Sequence, residues 1–431
     1  MPSSQPMPPA STIEMKQSAS AAAKEPREAA RIEPLPAFLR SVICLSVRHI
    51  CVDAFGSRLK AIVLTGSLSR DEATFARTEN SFSIFGDAEF LLVMKNHETL
   101  PRAAEISELR QRIEKDLLQR QVACKIDVSV VRPDYFRRLP PHIFTYELKH
   151  CGRVVWGDDE VLQAIPEFSP ADLSREDATR LLANRLVELL ECAPEIFNRK
   201  KPVSPEFQYK LLKLYLDMAT SLLVFLRRYT PTYRERQHIL SRLANHPART
   251  TDPPFNRRAF AKCIAACTYW KLAPHESLED IPKLVWPDAV YSARALWRWE
   301  LIQLTGASRS STDEELFQAW NRMQSWKANL RGWARVLRSC GWRRSWQHWP
   351  RWSKLCWVTG PRFSVYHAAF GLLFGGPSVP HQTNSALGNS ALRRLLPIDA
   401  DTREVSEPDD PQALAAAIVL NYQEFLVRTR L

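Results

Sequence analysis

Residues 59–93, LKAIVLTGSLSRDEATFARTENSFSIFGDAEFLLV, decide how this chain is read. An apolar strand pattern, Leu59–Thr65, ends in Gly66-Ser67, and a polar excursion follows. A second apolar run then carries two acids one residue apart, Asp87 and Glu89. Further on, Cys124–Val131 (CKIDVSVV) repeats the strand pattern and contributes Asp127. Strand residues i and i+2 point to the same face. Asp87 and Glu89 therefore project together, with the small Ala88 opposite. Asp127 lies with Lys125 and Ser129, while Ile126, Val128 and Val130 face the core. If the two strands are neighbours, three carboxylates converge. Packed without a cation they repel and raise one another's pKa. An oxygen-seeking divalent cation, Mg²⁺ or Mn²⁺, removes that conflict. Each acid alone reads as a strand-end surface residue. The set, embedded in IFGDAEFLLV, occupies a place where unpaired charge is costly. The glycine after the first strand lets backbone amides approach a phosphate, and Ser67 adds a hydroxyl donor.

Working outward, residues 1–34 are rich in Pro, Ser and Ala and poor in large apolar side chains, the composition of a disordered tail. Phe38, Leu39, Val42, Ile43, Ile50 and Phe55 give a helical period that Gly56 stops. Residues 68–84 read as a loop or short hairpin. Ala103–Gln121 is an amphipathic helix, and Val154–Asp158 a further short strand or turn. The order helix, strand, strand, helix, strand predicts a small α/β domain, a mixed sheet with helices, over 35–165. From Pro166 the pattern turns helical. Ser174 with Asp177 starts one helix as a capping box with Asp in the Glu place. Pro205–Arg228, Phe255–Leu272 and Trp286–Leu304 follow, predicting a helical bundle domain over 166–306. Residues 307–431 form a third region, basic and Trp-rich, with a linker at 375–390 and a last helix at Pro411–Arg428.

Strand, Gly66-Ser67, Asp87-x-Glu89 and a later Asp127 together resemble the nucleotidyltransferase superfamily of DNA polymerase beta, the aminoglycoside nucleotidyltransferases and the minimal bacterial enzymes. The resemblance covers roughly residues 35–165, with helices behind it as in the aminoglycoside enzymes. It implies a transferase that moves a nucleoside monophosphate from an NTP, ATP being the leading choice, to an unidentified acceptor hydroxyl. It implies that Asp87, Glu89 and Asp127 are catalytic and bind the Mg²⁺ or Mn²⁺ ions. Gly66, Ser67 and Arg70 then contact the triphosphate. Twenty residues separate Gly66 from Asp87, a longer connection than is usual in the family, and Asp71 stands where bacterial members have glycine. From the helical region, Lys210 is the candidate phosphate-side cation, although a solvated helix lysine fits its position as well. Glu147 and Asp158 read as acceptor-site flanks or as ordinary surface acids. A non-catalytic binding or regulatory module is the alternative to turnover.

The formal charge of +12 and pI near 9.3 suit an anionic partner. The charge concentrates late in the chain: between Asn321 and Ile398 there is no Asp or Glu but there are twelve Lys or Arg. Seven tryptophans fall between Trp326 and Trp357. Trp with Arg suits an anionic membrane surface, single-stranded nucleic acid, or a glycan or other anionic acceptor. It equally suits a helical domain that buries its own indoles. Nine scattered cysteines without CxxC pairs point to a reducing compartment and no structural zinc, and Cys263 with Cys267 reads as core packing. No secretory signal and no transmembrane run of about 18 apolar residues is apparent. The expected location is cytoplasmic, with peripheral attachment to a membrane as the variant the Trp-rich segment allows.

Overall fold

The computed structural model describes residues 35–77, 81–198, 202–246, 253, 255–273, 275, 280–375, 388–398 and 410–424, without the side chains of 339, 340, 342–344 and 347. The expected tail at 1–34, most of the linker at 375–390 and the end of the last helix lie outside these residues.

Among the described residues five strands make one sheet: β1 (Leu59–Thr65), β2 (Thr74–Arg77), β3 (Phe82–Met94), β4 (Val122–Val131) and β5 (Arg153–Gly157). β3 is its axis. β1 and β2 pair antiparallel with β3, β4 pairs with it in parallel, and β5 covers the outer edge of β1. The polar excursion after Ser67 is therefore a hairpin, and β3 begins six residues before the apolar run at Ala88 suggested.

The sheet has two unlike faces because β-strand side chains alternate. Ala88, Phe90, Leu92 and Met94 of β3, with Ile62, Leu64, Ile126 and Val128, pack against helices α1 (Leu35–Phe55) and α2 (Ala103–Gln119). Burying each larger side chain here contributes about 1.5–3 kcal/mol. The segment Leu35–Arg58 has the length and mean hydropathy, 1.5, of a membrane-crossing helix, which the sequence reading did not expect. Its Leu39, Ile43 and Val47 are nonetheless 0% exposed, because they fill the core above the sheet. On the opposite face Leu91 and Val93 pack with Ala61 and Val63 beneath Phe136 and Leu148. Towards the start of β3 the same face carries Glu89 and Asp87.

Behind this face stand the helices. α3 (Ile143–Cys151) lies within the N-terminal unit. α4 (Arg175–Leu189), α5 (Pro205–Phe225), α6 (Tyr233–Ala244), α7 (Arg257–Leu272), α8 (Trp286–Thr305) and α9 (Asp313–Arg322) follow. Ser174 caps α4 by accepting from the Asp177 amide. Then come α10 (Trp326–Leu355), α11 (Pro361–Gly375) and α12 (Pro411–Tyr422). One apolar core joins Leu211 and Trp297 to Trp320, Phe370 and Ile418, so it runs across the expected boundary at 306/307.

The helical spacing of Leu316, Trp320, Trp326, Leu330, Trp333 and Leu337 predicts one continuing helix, but the chain breaks it. α9 stops at Arg322, and Ser325 caps a new helix by accepting from the Ala328 amide. α10 itself folds back at Gly341, whose φ of 72° is non-helical.

The sheet and the helices are tied together. β2 donates and accepts backbone hydrogen bonds with His275. Tyr209 of α5 donates to the Phe85 carbonyl at 3.1 Å, and Lys271 donates to Thr74 Oγ1 at 2.7 Å. The N-terminal amides of α6, at Tyr233 and Arg234, donate to Glu72.

Candidate active site

Register decides where the acids meet. In the parallel β3–β4 pair Glu89 stands opposite Asp127, and Asp87 stands opposite Lys125. Both strands show this face of their alternation, so the three carboxylates and Lys125 share one surface. The pairing slips between Ser83 and Asp87, where Gly86 takes a φ of 110°. A bulge of this kind re-aims the side chains that follow it, here Asp87.

The end of β1 brings the Gly-Ser turn to the same place. Thr65 pairs with Glu89, and Gly66 follows with a φ of 71°. A Cβ on Gly66 would lie 2.8 Å from Glu89 Oε2. The positive φ favours glycine here, and any larger residue would also have to displace the Glu89 carboxylate.

The electrostatics follow from this crowding. Burial, then Asp127, raises the Asp87 pKa, against Lys125 and Lys213. Burial pushes Glu89 up to about 7, with Arg70 opposing and Asp127, Glu147 and Asp87 adding to the rise. Asp127 is exposed, its side chain at 56%, with Arg110 at 3.9 Å. An all-carboxylate donor set, in which the pKa values of Asp87 and Glu89 are raised, fits Mg²⁺ or Mn²⁺ in ligand chemistry and in strand placement. The carboxylates are splayed: among the described residues no three His, Cys, Asp or Glu side chains are gathered closely enough to hold an ion. Closing them on a metal calls for side-chain rearrangement on fixed strands.

Arg70 is not at the surface of this site. Its side chain is 5% exposed and bonds Glu72 Oε2 at 3.2 Å and Glu147 Oε2 at 2.5 Å. Its guanidinium lies over the Tyr233 ring. Glu147, read from sequence as an acceptor flank or surface acid, is instead the centre of an internal network. It accepts from Arg70, Arg236 and the Tyr229 hydroxyl. Burial works against the Glu147 carboxylate, but Arg70 and Arg236 hold its pKa below the usual range. Asp158 is a surface acid, paired with Lys60 at 3.1 Å.

A cleft of about 1200 Å³ opens beside Asp87, between the starts of β3 and β4 and helices α4, α5 and α12. Small-molecule sites are commonly about 300–1,000 Å³, so a nucleotide-sized ligand is accommodated. Glu89 and Asp127 lie farther along the strands, outside its lining. Lys210 is on the cleft wall but is shared by Glu191 and Glu206. Lys213, one turn later, also lines the cleft, and among the described residues no carboxylate lies within ion-pairing distance of it. Nearby Arg185, followed by burial, lowers its pKa, and its positive charge is felt at Asp87. Sequence reasoning passed over Lys213; its spacing of three from Lys210, on the same face of one helix, was the available signal.

No protein-family model matches this chain, and no curated protein matches it.

Proposed function

We propose that this chain is a metal-dependent nucleotidyltransferase, moving a nucleoside monophosphate from an NTP to an acceptor hydroxyl with release of pyrophosphate. The carrying observation is the register that sets Glu89 opposite Asp127, with Asp87 on the same face and the Gly66 turn against Glu89. That is the order of groups in the polymerase beta type of nucleotidyltransferase which the motif resembles. In this reading Asp87, Glu89 and Asp127 hold Mg²⁺ or Mn²⁺. When bound, the ions neutralise charge at the α-phosphate and lower the pKa of the acceptor hydroxyl. Asp127, with its exposed side chain, faces the acceptor. The acceptor hydroxyl gives up its proton to Asp127 and its oxygen bonds to the α-phosphorus, while the bond to the bridging oxygen breaks and pyrophosphate takes the electron pair. Gly66 and Ser67 border the triphosphate, and Lys213 supplies positive charge from the cleft wall. ATP is the leading donor.

The test is label transfer from each α-labelled NTP with Mg²⁺ and a panel of small-molecule, protein, nucleic-acid and glycan acceptors. Asp87→Asn and Glu89→Gln are expected to lower transfer by about a hundredfold or more. Undiminished transfer by Asp87→Asn sinks the site assignment. One observation favours a second reading, a nucleotide-binding module without turnover: the acids are not gathered around a single point. A thermal shift with NTP and Mg²⁺ but no label transfer to any acceptor would support that reading.

A further inference from the structure

The described tryptophan side chains of the basic segment fall into two groups. Trp333 and Trp352 are buried against each other, their ring centroids 5.8 Å apart, and each donates its indole N–H to a backbone carbonyl, at Thr359 and Pro397. Trp326, Trp346, Trp349 and Trp357 remain 48–88% exposed. Folding back at Gly341 returns the chain to the start of the helix. Asn321 Nδ2 donates to the Val358 carbonyl at 2.9 Å, and Thr359 Oγ1 donates to Asn321 Oδ1 at 3.0 Å. These bonds gather Met323, Trp326, Leu330, Trp357 and Val358 at one end of the hairpin, each at least 47% exposed. Exposed Arg322, Lys327 and Arg331 border them, and no acid occurs between Asn321 and Ile398 to neutralise those charges.

We infer that this end of the helical hairpin is a docking surface for an anionic lipid bilayer. The charge is complementary to acidic headgroups. Indoles sit well at headgroup depth, with the ring against acyl chains and the N–H towards water. The aliphatic members decide against single-stranded nucleic acid. Bases stack on rings, and Met323, Leu330 and Val358 offer no π-face, whereas a bilayer gains from burying all five side chains. The inference is independent of any catalysis at Asp87.

The full chain is tested for co-sedimentation with phosphatidylcholine vesicles containing phosphatidylserine and with vesicles lacking it, at low and high salt. Binding to the anionic vesicles alone, weakened by salt, is expected. Trp326→Ser with Trp357→Ser should lower the partition coefficient at least about tenfold through lost interfacial burial. Lys327→Glu with Arg331→Glu should do so by at least about tenfold through lost attraction. These side chains are exposed, and an unchanged circular dichroism spectrum checks that both variants are folded. No binding to anionic vesicles at low salt overturns the inference. So does full binding by the folded double-Trp variant, or tighter binding to a single-stranded oligonucleotide than to the vesicles.

Discussion

Glu89 lies against the α-carbon of Gly66, so that a single methyl group at residue 66 would reach within 2.8 Å of Glu89 Oε2. The turn after β1 and the second acid of β3 are thus one packed unit. Gly66→Ala meets two obstacles, the positive φ and the displaced carboxylate. The backbone conformation alone costs about 1–2 kcal/mol in a non-glycine residue. The expected outcome is a folded protein with a lowered Tm and loss of both Mg²⁺ binding and label transfer. Gly66→Ala with unchanged metal affinity would separate the turn from the acid site.

Stability and metal affinity should depend on pH in opposite ways if the metal is held, as proposed, by Glu89. Its folded pKa is pushed up to about 7 from a starting value of 4.5, so folding favours its protonated form. The resulting stability is present below pH 4.5 and is lost as pH rises through 7. Glu89→Gln should therefore raise the metal-free Tm relative to the parent at pH 8, with little gain at pH 4. Mg²⁺ needs the ionised carboxylate, so its affinity should increase as pH rises through 7, with proton release visible by calorimetry in buffers of different ionisation enthalpy. Metal affinity that is flat across this range would remove Glu89 from the ligand set.

The period-2 alternation made Asp87 and Glu89 neighbours on one face, and the later strand placed Asp127 with Lys125 and Ser129; all of this was legible locally. Register was not. It depends on the slip between Ser83 and Asp87, which no local pattern announces. The interior position of Arg70 was equally hidden, because Glu147, its partner, is 77 residues away and is itself held from the helical region by Tyr229 and Arg236. The break at Met323–Ser325 was missed because apolar spacing continues through it, while the cap at Ser325 is a single residue. Burial of Trp333 and Trp352 but not Trp326 depends on the fold-back at Gly341, a tertiary event.

Arg70 separates the resemblance from the structure. Were it a triphosphate ligand, Arg70→Ala would raise the NTP KM and leave stability intact. Its two carboxylate partners are themselves largely buried, and removing one member of such a group commonly costs about 3–5 kcal/mol. Arg70→Ala is therefore expected to lower the denaturation midpoint sharply, and to raise the Glu89 pKa further, since Arg70 is the group opposing that rise. Urea titration checks the first effect. An unchanged midpoint with a raised KM would return Arg70 to the phosphate site.

Lys210 and Lys213 offer the finest discrimination, because they share a helix face and differ in their partners. Lys210 is paired with Glu191 and Glu206, while Lys213 lines the cleft with no ion pair among the described residues, over the Tyr209 ring and within electrostatic reach of Glu188 and Asp87. An incoming polyphosphate gains more from the cation whose charge is not already compensated. A charge-assisted hydrogen bond is worth about 1.5–3 kcal/mol, so Lys213→Met should weaken NTP binding by roughly tenfold to a hundredfold. Lys210→Met should weaken it much less. The lysine at 213 also offsets the burial of Asp87, so its removal should raise the Asp87 pKa and shift metal binding to higher pH. Isothermal titration with a non-hydrolysable NTP analogue reads the nucleotide effect. Equal losses in the two variants would show that the cleft recognises overall charge and not Lys213 in particular.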